Sequence, residues 1–169
     1  FAATRQDNNA VLGIVEGRYE VFPNREVFSI ADAMVEQGAL ITSAFAVDGG
    51  ARCFMNLEWA RDKAVNVLGD IVSCRAIIQS AHNGKYSNLF RLQPMRLACL
   101  NGMIVPVPGF SFEFRIKHTA NGDDRMKEAL RIMSGASEYF RGYSRVAEQM
   151  ARTNVTVPQA KQLLTKVPT

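Results

Sequence analysis

A chain of 169 residues with 47% hydrophobic and 21% charged content has the composition of a globular protein, which excludes wholesale disorder. No apolar run approaches the roughly 20 residues of a membrane-spanning helix. The formal charge of +4 is modest but unevenly placed. Residues 1–70 hold six Lys/Arg against ten Asp/Glu, and residues 119–169 hold eight against five. Between them, residues 71–118 set Arg75, Lys85, Arg91, Arg96, Arg115 and Lys117 against Glu113 alone. A positive middle predicts one face attractive to polyanions; the competing reading is a charged sheet face that simply meets water.

The length fits one domain over residues 1–169, with about 152–169 as a short appendage. The chain starts at Phe1, and we expect residues ahead of it. Cys53, Cys74 and Cys99 are odd in number, widely spaced and set among apolar neighbours. That pattern predicts free buried thiols in a cytoplasmic protein, with no disulfide framework and no zinc site.

In chain order, residues 12–22 read as two short strands around Glu16-Gly17, with Tyr19 and Val21 alternating against Arg18 and Glu20. Pro23-Asn24 stops the chain and offers Asn24 as a helix cap. Val27, Phe28, Ile30, Ala31, Met34 and Val35 then recur at helical spacing until Gly38, which predicts a helix over about 25–38. Segments 41–47 and 51–59 flank Asp48-Gly49-Gly50, a hairpin signal. In the second segment Cys53, Met55, Leu57 and Trp59 share one face, and Arg52, Phe54, Asn56 and Glu58 share the other.

A strand is expected over 71–80 with Val72, Cys74, Ala76 and Ile78 inward, then a turn at His82-Asn83-Gly84 and a strand at 89–93. From Met95 to Val105 the period fits helix and extended chain alike. Residues 110–117 alternate cleanly: Phe110, Phe112, Phe114 and Ile116 one way, Ser111, Glu113, Arg115 and Lys117 the other. Asn121-Gly122-Asp123-Asp124 opens one long helix, about 123–151. Its stripe is Met126, Ala129, Leu130, Met133, Ala136, Phe140, Tyr143, Ala147 and Met150. Gly135 and Gly142 are expected to weaken it without breaking its phase. Val157-Pro158 starts a short last helix. The fold class that follows is α+β, with a mostly antiparallel sheet backed by the helix after the first hairpin and a long C-terminal helix.

Catalytic patterns are missing. The two histidines, His82 and His118, have no metal-binding spacing around them, no glycine-rich loop opens a helix after a strand, and there is no Gly-x-Ser-x-Gly elbow. An enzyme would have to bring His82 and His118 together with Asp70 or Cys99 in space. The basic, aromatic stretch from Lys85 to Lys117 is the better candidate, because single-strand binders need cations for phosphates and flat rings for bases. Phe110, Phe112 and Phe114 read as core. The expected nucleic-acid contacts are Arg75, Lys85, Arg91, Arg96, Arg115 and Lys117, with Tyr86 as stacker. No cofactor or metal is expected.

Several strings, taken in order, carry a resemblance. They are Tyr19-x-x-x-Pro23-Asn24-x-Glu26-x-Phe28, Asp48-Gly49-Gly50-Ala51-Arg52, Ser80-Ala81-His82-Asn83-Gly84, Pro94-Met95-Arg96-x-x-Cys99-x-Asn101 and Phe114-Arg115-Ile116-Lys117-His118-Thr119. Together they resemble an uncharacterised phage/plasmid-like protein family of bacteria and their viruses. That family often shows Asp after the histidine of the turn string; Asn83 stands there here, which argues against a metal at that turn. The setting of the family beside replication genes implies nucleic-acid work. Its element order is similar, at the level of fold, to the single-strand annealing proteins of the Rad52, Redβ and RecT group, which form rings or filaments. The resemblance therefore implies a single-stranded DNA-binding, strand-annealing accessory protein of recombination or replication, homo-oligomeric and in the bacterial cytoplasm. The alternatives are a metal-dependent nucleic-acid-processing enzyme and an interaction protein without nucleic acid.

Overall fold

The chain opens with a small hairpin: β1 (Ala2–Thr4) pairs antiparallel with β2 (Val11–Ile14). This computed structural model describes residues 1–59, 65–67, 70–97, 104–107 and 111–165. The second strand expected before Pro23 does not form. Residues 19–22 instead cross to the far end of the chain, where Glu20 donates its backbone N–H to the His118 carbonyl at 3.2 Å. The expected alternation of Tyr19 and Val21 is not kept, since Val21 is exposed and Phe22 is buried, and the ladder partner of β2 lies upstream.

Helix α1 (Asn24–Glu36) buries Val27, Ile30, Ala31 and Met34, while Val35 stays exposed. Asn24 does not cap it: no side-chain cap bond is made, and the Asn24 amide is engaged elsewhere. The hairpin forms as expected, with β3 (Ala39–Val47) and β4 (Arg52–Trp59) joined by a tight 3₁₀ turn at Asp48–Gly50. There φ reaches 65° at Gly49 and 100° at Gly50, values that carry no steric cost without a Cβ.

The remaining strands are β5 (Val65–Val67), β6 (Asp70–Ala81), β7 (Asn88–Leu97), β8 (Ile104–Pro106) and β9 (Phe112–Ile116). Every pairing among the described residues is antiparallel. The order runs β3-β4-β6-β7-β8; β5 pairs with β6, and β9 pairs with β7. The ambiguous stretch thus begins as strand to Leu97 and resumes as strand at Ile104, which settles its two ends as extended. Cys99, Asn101 and Phe110 lie outside the described residues. Cys53 and Cys74 are free thiols, and burial pushes Cys74 up to about 12.

The expected long C-terminal helix is two helices, α2 (Gly122–Ser134) and α3 (Ala136–Arg152), followed by α4 (Val157–Leu164). The break falls at Gly135, the residue with the weakest hold on helical geometry. Its N–H turns to the Ile132 carbonyl (3.0 Å), and its own carbonyl accepts from Glu138 and Tyr139 to start α3. The apolar stripe survives the break from Met126 to Tyr143, but Leu130 and Met150 point to water.

One cluster of buried residues joins α1, α2 and α3 to Leu57, Trp59, Val72, Cys74, Ala76, Ile78, Phe90, Leu92 and Ile116 of the sheet. The helices therefore cover one face. Among the described residues no helix is long and apolar enough to cross a membrane.

Candidate nucleic-acid interface

The alternation that buries one face of each strand projects the other away from the helices. That outer face carries Arg52, Phe54, Asn56 and Glu58 on β4, Arg75, Ile77 and Gln79 on β6, Arg91 on β7, and Glu113 and Arg115 on β9. Register places Glu58 opposite Arg75 and Arg91 opposite Glu113. Arg75 donates Nε–H and Nη2–H to Glu58, the first at 2.7 Å. Glu113 bridges two strands, accepting from Arg91 Nε (2.9 Å) and from Arg115 Nε (2.6 Å). Hydrogen bonding from Arg91, aided by Arg115, holds the Glu113 carboxyl below the usual carboxylate range. Each guanidinium has five N–H donors, so these pairs orient the arginines and leave donors over for a phosphate.

At one end of this face the side chains become aromatic. The Arg52 guanidinium lies 4.6 Å from the Tyr86 ring centroid and 5.9 Å from that of Phe54. Phe54 in turn stacks on its cross-strand partner Phe45, with centroids 5.1 Å apart and planes 15° apart. Asp48 fixes Arg52 from the side through a 2.9 Å bond to Nε. The turn that carries Lys85 and Tyr86 is shaped by Asn83, whose Oδ1 accepts from both backbone amides (3.0 and 3.3 Å). Lys85 and Tyr86 are exposed there.

The candidates from sequence therefore divide. Arg75, Arg91 and Arg115 share the outer face, Lys85 and Tyr86 stand at its aromatic end, and Lys117 is exposed one residue beyond β9. Arg96 does not join them: its strand parity is that of Phe90 and Leu92, so it projects toward the helix side, opposite Val72. Phe112 and Phe114 face the helices as expected, Phe112 against Tyr139 (6.4 Å) and Phe114 under the Arg125 guanidinium (5.5 Å). Arg52, Phe45 and Phe54 were missed as site residues. Their signal was present in the second face of the 51–59 segment, where an arginine and a ring alternate with polar residues.

His82 and His118 do converge, near the end of β6. His82 Nε2 donates to Asn24 Oδ1 (2.8 Å) and also faces Ser80 Oγ (3.2 Å). His118 Nδ1 donates to the Glu20 carbonyl (2.8 Å), and its ring stacks on Tyr19 at 4.4 Å. Burial lowers the pKa of both rings, and the charge of His118 depresses His82 further. The same burial pushes Tyr19 up to about 12.

This cluster lacks the geometry of a nucleophile. Asn24 and Ser80 meet the same ring nitrogen, so the imidazole cannot relay a proton between them, and Ser80 is fully buried. Asp70 stands at the opposite end of β6, some 12 residues or roughly 35–40 Å of strand away. Among the described residues no three His, Cys, Asp or Glu gather as a metal would require. What the arrangement does is tie the 19–24 segment to the ends of β6 and β9.

Fold and face together define a class: an α+β protein whose antiparallel sheet is covered by helices on one side and bears arginines and aromatic rings on the other. Within that class, the family model described as Domain of unknown function (DUF932) matches residues 11–169, and the chain belongs to that family. No curated protein and no solved structure matches it.

Proposed function

We propose that the outer face of the sheet binds single-stranded DNA, capturing phosphates with Arg75, Lys85, Arg91, Arg115 and Lys117 and stacking bases at the Tyr86 end. The observation that supports this most is the Arg52–Tyr86 and Phe45–Phe54 stacking beside oriented arginines on the sheet face away from α1, α2 and α3. Rings and cations at that spacing suit a polymer of alternating bases and phosphates. The resemblance drawn from the sequence strings to a phage/plasmid-like family, and through it the fold-level analogy with annealing proteins, suggests a strand-annealing role in recombination or replication. Homo-oligomerisation and a cytoplasmic location belong to the same reading.

The test is filter binding of a single-stranded oligonucleotide over a salt series. The logarithm of affinity falls linearly with the logarithm of salt as counterions leave the phosphates. Arg115→Ala with Lys117→Ala makes that slope shallower by up to about two units. Tyr86→Ala weakens binding by about 1–3 kcal/mol while leaving the slope alone, because stacking releases no ions. Absence of binding at low salt, or binding indifferent to salt, overturns the proposal.

A further inference from the structure

Strand β3 is an edge, and an unusual one. Its nine residues, Ala39 to Val47, include no charge and no proline. Leu40 is 60% exposed, Ile41 52% and Phe45 48%, and every residue from Leu40 to Ala46 is exposed. Natural sheets blunt their edges with lysines, prolines, bulges or a covering element. Here the one such device is a register shift between Ile41 and Ser43, where Thr42 Oγ1 folds inward onto the Asn56 carbonyl (3.2 Å). Beyond it, Ser43 to Val47 pair regularly with β4, and no described hydrogen bond reaches their outer rim.

The opposite side of the sheet differs: it is shared by β8, three residues ending in Pro106, and by β9. β9 carries Glu113 and Arg115, and Arg125 of α2 reaches over it, donating to the Arg115 carbonyl at 3.0 Å with its guanidinium above Phe114. A head-to-tail contact of β3 with β9 would set an uncharged strand against a charged and occupied one.

We infer that β3 pairs with β3 of a second copy of this chain, antiparallel and across a two-fold axis at Phe45. The register follows from the bulge. Ser43 to Val47 is the regular segment, and the pairing that uses all of it places Phe45 opposite Phe45, Ala44 opposite Ala46, and Ser43 opposite Val47. Small residues then meet small ones and ring meets ring, with no charge to desolvate. Phe45 already stacks on Phe54, so the contact extends that stack through both copies. Such an isologous contact closes as a dimer, in place of the ring or filament that a head-to-tail contact would give. Five paired residues from each copy make about five main-chain hydrogen bonds, at the low end for a specific interface. The dimer is accordingly weak, of micromolar affinity by order of magnitude. The inference stands whether or not the outer face binds nucleic acid, and its test uses none.

Sedimentation of the full chain across the micromolar range should show a monomer–dimer equilibrium. Ala44 and Ala46 are exposed on the face away from Phe45, so substitutions there leave the fold intact, as an unchanged melting temperature checks. Ala44→Lys with Ala46→Lys opposes like charges across the axis and should abolish the dimer. Ala44→Lys with Ala46→Glu pairs unlike charges in the proposed register and should restore it. A wild type that stays monomeric overturns the inference, as does a dimer indifferent to the double lysine. Equal loss in both variants overturns the register and the two-fold with it. A monomer whose Ser43–Val47 amides resist hydrogen exchange assigns the edge to another segment of the same chain, and that too refutes pairing between copies.

Discussion

His82 and His118 are each 7% exposed, and burial lowers the pKa of both below the ordinary 6.5. The unfolded chain therefore takes up protons that the native state refuses. Stability is complete above about pH 7, begins to fall as pH drops through 6.5, and goes on falling until the native pKa values are passed. The lowered carboxylates, such as Glu113, begin to lose their contribution only below the unperturbed value of 4.5, so the loss between pH 6.5 and 5.5 belongs to the histidines. Urea unfolding at about pH 7.5 and 5.5 should give a lower midpoint at the acid end, and His82→Gln with His118→Gln should flatten that difference. An equal pH dependence in that variant would assign the effect to other groups. Sequence placed these residues only in a turn and at a strand end. The recruitment of Asn24 to His82 was illegible, because an asparagine after Pro23 has a good local use as a cap, and only the tertiary fold supplies the competing partner. Arg52 was hidden for a related reason: Phe54 lies two residues along the same strand, but Tyr86 comes from a separate turn and Phe45 from the neighbouring strand, and local spacing reports one strand at a time.

Between elements, the tightest joint is the contact of α2 with the segment before α1. A Cβ on Gly122 would sit 2.0 Å from Phe22 Cζ, and Phe22 is 2% exposed with Met126 in the same core. Gly122→Ala should therefore destabilise the fold by about 1–3 kcal/mol, the usual cost of overpacking, despite alanine's better helix propensity. Adding Phe22→Leu should recover part of the loss; urea midpoints of the three variants decide it. The elements themselves were legible where one pattern acted alone. Phe112 to Ile116 alternates cleanly, and the 39–59 hairpin has its turn residues in place. Legibility failed where two patterns overlapped. The stripe from Met126 to Tyr143 keeps helical phase straight through Gly135, so periodicity registers one helix although the backbone makes two. Tyr19 to Val21 alternates like a strand but is drawn off to His118.

At the scale of the molecule, the sequence showed a basic block over 71–118, and the sheet turns most of it to one face. Strand pairing also interleaves carboxylates that the linear reading assigned elsewhere: Glu58 comes from the acidic front half to meet Arg75. The face is thus a lattice of oriented ion pairs with cations in excess, and charge segments along a chain cannot reveal that without the register. Its two sides also differ optically. Trp59, the one tryptophan, is 5% exposed in the helix-covered core, whereas Tyr86 is 45% exposed near the opposite, open face. Denaturant should shift the indole emission to longer wavelength as the core opens. An oligonucleotide resting on the arginines should leave the indole maximum where it is and quench only tyrosine, less so in Tyr86→Phe. An indole shift on adding oligonucleotide to the folded protein would mean that the ligand works its way beneath the helices. The fold thus carries one fluorophore that reports on its interior and another that reports on the proposed binding surface, set on opposite faces of the sheet and at opposite ends of β4.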